Sequence, residues 1–487
     1  GKHTNRWRQA WDIVRRADHP ALGLILDSFH TLCLGDDLSG LAGAVPAEKL
    51  FFVQLADAPR LSMDPLPWSR HHRSFPGQGE LPVGAFLRDV LAAGYRGPLS
   101  LEIFNDEFRS APARRIARDG LRGLVWAEEA AGITALPAPP ALSGVEFVEF
   151  AVDEAAAEGL GAFLGTLGFR LAGRHRSKAV TLHRNGGVNL VLNAEPDSAA
   201  SERFEQHGPC VCAMAFRVDD AARALARAQT LLCPTWRERT GEGERNIPAV
   251  RAPDGTLVYL VEPGRRRIWE DDFHLDPDAA AGAGTAGGFG GVDHVAQALT
   301  ADMMDSFSLF YRAVFGLEPG ARWELPDPYG LVRSRAFTGG GGSVRLPLNT
   351  SESGRTGTGR FVSAFAGAGV HHIAFCTADA AAATEEAAAR GAPLLDIPGN
   401  YYEDLGARLG LGDDDLADLR RHRLLYDRSP AGGGTFRHAY TLPFQDRFFL
   451  EIAERAGGYD GFGAANAGAR MAAQQRPQRQ QVRARRH

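Results

Sequence analysis

The sequence predicts a partial α/β barrel followed by a duplicated α+β module, and two observations carry that reading. Before residue 132, runs that are apolar almost throughout, Leu22 to Asp27, Lys49 to Leu55 and Pro98 to Ile103, alternate with helical patterns over 5–17, 83–94 and 109–131. Such strands between helices indicate a parallel sheet covered on both faces. After residue 144, three segments occur twice. Gly144-Val-Glu-Phe147-Val matches Gly291-Val-Asp-His294-Val, Ala213-Met-Ala-Phe matches His372-Ile-Ala-Phe, and Val258-Tyr-Leu-Val261 matches Phe448-Phe-Leu-Glu451.

The repeat points to a metal site. In this pairing Phe147, Ala213 and Val261 stand where the second copy has His294, His372 and Glu451. An imidazole or carboxylate inside an apolar strand is costly to bury unless something satisfies it. One ion satisfies all three. Two imidazoles and one carboxylate with other positions open form the facial set of non-haem Fe(II) oxygenases, and the same set holds other divalent ions.

These motifs resemble the 4-hydroxyphenylpyruvate dioxygenase family of the vicinal-oxygen-chelate fold, built of βαβββ repeats, over about Val145 to Asn466. The resemblance implies that His294, His372 and Glu451 ligate a divalent metal, Fe(II) in that family. It also implies that Ser334, Asn349 and Phe462 line the substrate cavity or its lid helix. Two positions depart: His371 and His438 stand where the family has substrate-binding glutamines. The metal set is kept while the groups that read the substrate differ, and buried polar groups discriminate strongly between substrates.

In the first region each strand ends on a polar residue, Asp27, Gln54 or Glu102, at the carboxyl edge where barrel enzymes place catalytic groups. All three offer hard oxygen ligands suited to Mg2+, Mn2+ or Co2+. His30 and Arg60 follow in loops leaving the same edge. Asp27-Ser-Phe-His30, Gln54-Leu-Ala-Asp-Ala-Pro-Arg60, His72-Arg73-Ser-Phe-Pro-Gly-Gln-Gly-Glu80 and Ser100-Leu-Glu102-Ile-Phe resemble the xylose-isomerase-like barrels that include sugar epimerases and 3-dehydroshikimate dehydratases. That similarity implies Asp27, Gln54 and Glu102 as metal ligands, with His30, Arg60 and Arg73 approaching substrate. Three visible strands against the eight a barrel needs make Gly1 read as a cut within a longer barrel, so activity is expected to suffer without the remainder.

The expected organisation is thus barrel over 1–132, Pro-rich linker over 133–143, and first chelate module over 144–274. A Gly-rich linker over 275–290, the second module over 291–469 and a basic, disordered tail over 470–487 complete it. The glycines of the second linker precede a strand instead of opening a helix, which excludes a phosphate loop, and Gly339 to Gly342 reads as a hairpin turn. The tail's arginines leave an acid- or RNA-binding role as the sharper alternative to a solvated tail.

Net charge over the 487 residues is −5, with acids and bases interspersed, which gives no support to nucleic-acid or membrane partners. No apolar run approaches the roughly 18 residues that span a bilayer, and no signal peptide opens the chain, so the cytoplasm is the default. Five cysteines without Cys-x-x-Cys spacing suggest neither disulfides nor a zinc knot. A small-molecule substrate is expected, and self-association stays open.

Barrel, linker and paired modules in this order resemble the bacterial two-domain 3-dehydroshikimate dehydratases. The resemblance implies metal-dependent dehydration of 3-dehydroshikimate to protocatechuate. Two alternatives remain: an Fe(II) oxygenase of the 4-hydroxyphenylpyruvate dioxygenase type acting on a 2-oxo acid, and a chelate half that only binds or assembles.

Overall fold

A computed structural model describes residues 4–264, 268–277, 287–430 and 432–484, with side chains described to residue 475 in the last helix. Most of the Gly-rich linker and the final three residues of the tail therefore lie outside the described residues. The chain forms two compact units: Gly1–Pro139 with Ala226–Pro234 and Asp302–Gly316, and Pro140–Leu225 with Thr235–Ala301 and Leu317–His487.

The first unit contains the expected parallel sheet, β1 (Leu24–Asp27), β2 (Leu50–Leu55) and β3 (Leu99–Leu101), in the order β1-β2-β3. Asp27 pairs with Gln54, and Gln54 with Ser100, so the candidate polar residues come to one edge. Val53 and Leu55 are fully buried, packed with Phe29, Phe86 and Leu87. Arginines tie the later segments into this unit. Buried Arg227 is held by both oxygens of Glu129 at 2.6 and 2.7 Å, and Arg122 pairs with Asp119 at 2.6 Å while donating to the Leu231 carbonyl.

Asp57, just past β2, organises the following loop. Its two oxygens accept from the backbone N–H groups of Ala58, Gly77, Gly79 and Leu81 at 2.8–3.1 Å. A Cβ on Gly79 would lie 2.3 Å from Asp57 Oδ1, so only glycine lets the loop close over the carboxylate. Full burial raises this carboxyl to about 6, and the four donors oppose the rise without cancelling it.

The second unit carries two mixed sheets. The first module supplies β4 (Leu142–Ala151), β5 (Arg170–His175), β6 (Val180–Asn185), β7 (Val188–Asn193), β8 (Cys210–Val218), β9 (Thr235–Trp236), β10 (Ala249–Arg251), β11 (Leu257–Val261) and β12 (Phe273–Leu275). Their order is β12-β5-β6-β7-β4-β8-β11-β10-β9. The second supplies β13 (Phe289–Leu299), β14 (Glu318–Asp327), β15 (Gly330–Gly339), β16 (Val344–Thr350), β17 (Gly369–Thr377), β18 (Leu425–Arg428), β19 (Thr435–Tyr440) and β20 (Phe449–Ala456). They run β14-β15-β16-β13-β17-β20-β19-β18. The expected hairpin turn at Gly339 to Gly342 joins antiparallel β15 and β16, with Gly341 in the left-handed region at φ 62°.

Register corrects the repeat in one place. Ala213 opposes Leu257 and Ala215 opposes Tyr259, whereas His372 opposes Phe449 and Ala374 opposes Glu451. The residue in the place of Glu451 is therefore Tyr259, not Val261. A slip of two residues keeps every side chain on its face, so alternation cannot detect it.

Both sheets share three register shifts, two of which lie at the site. In β13 the register skips Asp293 between Val292 and His294, and in β17 it skips His371 between Val370 and His372. In the first module the skipped residues are Glu146 and Cys212. A bulge re-aims the extra side chain. Adjacent residues that would otherwise face opposite ways can then share a site.

The tail also differs from expectation. Ala467–Ala484 is helical, and Arg470, Met471, Ala473 and Gln475 are buried, so the segment after 470 starts as packed structure. Its composition is polar, but small residues between the arginines let the first turns pack closely. Among the described residues no helix is long and apolar enough to cross a membrane.

Candidate active sites

The barrel residues converge on Arg73. Strand β1 delivers Asp27, which caps the helix Ser28–Cys33 by accepting from the His30 backbone N–H at 3.0 Å through Oδ1. Asp27 Oδ2 and Glu102 Oε2 each accept from Arg73 Nη1 at 2.9 Å. Arg73 Nη2 donates to His30 Nε2 at 3.0 Å and to Ser69 Oγ at 2.8 Å, and Nε donates to the Ser69 carbonyl. Arg73 is 1% exposed, and its guanidinium lies over the Phe29 ring at 5.0 Å and the Phe104 ring at 5.5 Å. Arg73, which the resemblance puts near substrate, also holds both candidate carboxylates in place.

Because Arg73 donates to His30 Nε2, the proton of the neutral ring sits on Nδ1. Burial pushes this imidazole down, and Arg73 opposes the pull of Asp27. Gln54 lies beside Asp27 by strand register. Arg60 is exposed and forms no hydrogen bond or ion pair with these groups.

The second site is more enclosed. His294 Nε2, His372 Nε2 and Glu451 Oε2 lie 3.2, 3.3 and 3.5 Å from one another, all buried. Ligands bonded at about 2.0–2.2 Å to one tetrahedral or octahedral ion are roughly 3.0–3.5 Å apart. The set fits a divalent metal. Among the described residues it is the group of His, Cys, Asp and Glu side chains close enough to share an ion. Glu451 Oε2 has no hydrogen-bond donor, as expected of an atom facing a cation.

The surrounding groups fix which atoms face inward. His294 donates from Nδ1 to Asp293 Oδ1 at 2.7 Å, and Arg455 grips both oxygens of Asp293 at 2.6 and 2.9 Å. Asn466 donates to His438 Nε2 at 3.0 Å, so His438 donates from Nδ1 to Glu451 Oε1 at 2.9 Å. Tyr401 donates to Asn466 in turn, at 2.9 Å. Such outer contacts orient ligands and raise their basicity. Gly463, at φ 60°, allows the chain to pass His438; a Cβ there would lie 2.8 Å from the ring.

Charges follow this geometry. Burial pushes His294 down, but Glu451 and Asp293 outweigh it and raise the imidazole to about 9. Burial pushes Glu451 up, yet His294 and His438 hold it well below the carboxylate range. Burial dominates at His372, which is driven far down, and at His371, which falls to about 3 with Arg470 adding to the effect.

The remaining expected residues are placed as follows. Phe462 is edge-on to His294 at 5.8 Å. His371 sits edge-on to Phe361 and Phe449, at 5.0 and 4.8 Å. Ser334 opposes Asn349, and Asn349 opposes Ala298 of β13, which puts both on the sheet face of His294. Sequence reasoning missed Asp293, Arg455, Tyr440 and Arg470. The Asp-His and His-His doublets were visible, but not the bulges that give both members of each a place in the site.

Comparison with known proteins agrees with this layout. Residues 1–128 match the xylose isomerase-like TIM barrel family, 137–274 the amino-terminal hydroxyphenylpyruvate dioxygenase family, and 291–418 the glyoxalase/bleomycin resistance protein/dioxygenase superfamily. The chain is 50% identical to a 3-dehydroshikimate dehydratase of Pseudomonas putida, over 97% of this chain and 76% of that protein. It is 52% identical to the enzyme of the same name from Pseudomonas aeruginosa, with the same coverage. A solved xylose isomerase-like TIM barrel/4-hydroxyphenylpyruvate dioxygenase fusion protein matches with a TM-score of 0.86 and 47% identity, over 98% of this chain and 77% of that one.

Proposed function

We infer the function from one premise: the chain belongs to the 3-dehydroshikimate dehydratase family that joins a xylose isomerase-like barrel to a hydroxyphenylpyruvate dioxygenase-like domain. The proposed reaction is dehydration of 3-dehydroshikimate to protocatechuate in the barrel. A proton leaves the carbon beside the ring ketone, a hydroxyl group departs as water, and the ring becomes aromatic. The observation that carries this reading is the convergence of Asp27, Glu102, His30 and Arg73 at the carboxyl edge of the parallel strands.

The oxygens of Asp27, Gln54 and Glu102 are the donor types a hard divalent cation takes, and Mg2+, Mn2+ or Co2+ held there would polarise the ketone. Arg73 keeps the two carboxylates at fixed separation. His30, neutral and protonated on Nδ1, donates to a substrate oxygen and orients the ring. Arg60, exposed beyond β2, attracts the substrate carboxylate toward the edge. In the chelate half, His294, His372 and Glu451 hold a second divalent ion, Fe(II) in the reading closest to the dioxygenases.

A second reading rests on the enclosed metal geometry: the chelate half oxidises a 2-oxo acid with O2. Product formation and oxygen uptake separate the two. With 3-dehydroshikimate and added divalent metal, the proposal predicts protocatechuate without O2 consumption. Absence of product together with O2 uptake on a 2-oxo acid would replace it by the oxygenase.

A further inference from the structure

The last helix carries a cation whose charge is not balanced. Arg470 is 9% exposed, and its guanidinium lies over Tyr440 at 5.4 Å and Phe449 at 5.6 Å. Phe449 stacks on the ligand His372 at 4.7 Å, and Tyr440 lies 3.0 Å from His438 through its hydroxyl. The hydrogen bond Arg470 makes goes to Gln474 Oε1, a neutral acceptor, at 2.8 Å. No carboxylate among the described residues pairs with it. Glu451, the acid of this site, is committed to His294, His372 and His438.

A guanidinium stays charged when buried, and burying a charge without a partner is costly. A divalent ion on the three ligands would add positive charge near this cation, while its histidines are neutral ligands when metal-bound. An incoming anion would balance the positive charge of both the metal-loaded centre and Arg470. Arg470 lies over rings flanking the ligands and bonds to none of the three ligand side chains. An anion paired with it is thus separate from the atoms that reach the metal, and the rings of Phe449 and Tyr440 neighbour both Arg470 and His372.

We propose that Arg470 recognises the carboxylate of the chelate centre's ligand, a planar aromatic acid whose opposite edge carries the metal-binding oxygens. Protocatechuate has this form, with a carboxylate at one end and adjacent hydroxyls at the other, and choosing it as a probe rests on the dehydratase reading above. A 2-oxo acid differs, because its carboxylate is itself one of the chelating groups.

The test is calorimetric binding to the Zn2+-loaded full chain in an Asp27→Ala background, which removes the barrel's own affinity for product. The probes are protocatechuate, catechol and 4-hydroxyphenylpyruvate, each repeated with Glu451→Ala to confirm that heat comes from the chelate centre. Protocatechuate is expected to bind at least about tenfold tighter than catechol, the scale of a charge-assisted pair. Arg470→Gln removes that advantage and leaves catechol unchanged, and Arg470→Lys restores part of it. Equal binding of protocatechuate and catechol by the unaltered site overturns the proposal without any Arg470 variant. Tighter binding of 4-hydroxyphenylpyruvate, insensitive to Arg470→Gln, overturns it in favour of 2-oxo acid chelation. A failed dehydratase reading appears separately, as absence of product from 3-dehydroshikimate.

Discussion

The two chelate modules share strand register and bulges, yet among the described residues only the second assembles a metal set. Phe147 and His294 occupy equivalent positions opposite Ala215 and Ala374, and Tyr259 and Glu451 lie opposite those same alanines from the other side. In the first module the Phe147 and Tyr259 rings meet 5.7 Å apart, so aromatic contact fills the place that the second gives to ligands. The bulge residue changes partner as well. Asp293 fixes His294, whereas Glu146 accepts from Trp269 Nε1 and pairs with Arg217. The backbone supplies a frame for a metal centre, and three side chains with their outer contacts decide whether one forms.

The largest expected effect tests that decision directly. Glu451→Ala lowers divalent-metal affinity by more than about 100-fold, since it removes a ligand and not merely an outer contact, while Tyr259→Phe leaves metal content at the wild-type value; both follow from elemental analysis after dialysis. Phe147→His with Ala213→His and Tyr259→Glu transfers the ligand set to the first module. The altered protein gains one further metal, bound about 10–100-fold more weakly than that of the second module because Glu146 is engaged elsewhere. If the triple variant folds and titration detects no metal beyond those of the unaltered protein, the shared frame is insufficient.

Asp293→Asn sharpens the contribution of the bulge, reducing metal affinity at the second module about 10–100-fold with the ligands intact. The smallest effect concerns Glu149, the first module's counterpart of Ala296, hydrogen-bonded to Asn193 at 2.7 Å beside a cavity of 180 Å3. Burial raises this carboxyl from 4.5 to about 6. The folded group therefore holds its proton to higher pH than the unfolded one, and stability falls as pH rises from about 4.5 through 6. Glu149→Gln removes that fall and adds about 2 kcal/mol at pH 7, measurable by urea unfolding at two pH values.

Much of this was legible because a repeat places two answers side by side. His294, His372 and Glu451 stood out against apolar counterparts, and Asp27 and Glu102 by closing strand-like runs. What stayed hidden depends on geometry that residue patterns do not encode. The slip from Val261 to Tyr259 preserves alternation, and the bulges at Asp293 and His371 break it without a residue signature. Arg73 lies far from Asp27 in sequence, so its place between the carboxylates follows only from the fold. Arg470 stood in a basic, polar stretch whose composition resembles a solvated tail, although its helix packs against β14 and buries Ala467 and Met471 with Val332 and Leu325.

The most direct test of the division of labour compares two variants on 3-dehydroshikimate by following protocatechuate formation. Asp27→Ala should abolish product, and Glu451→Ala should retain it while losing the metal of the chelate centre. Product lost with Glu451→Ala and retained with Asp27→Ala would contradict the account and move the chemistry to the chelate half.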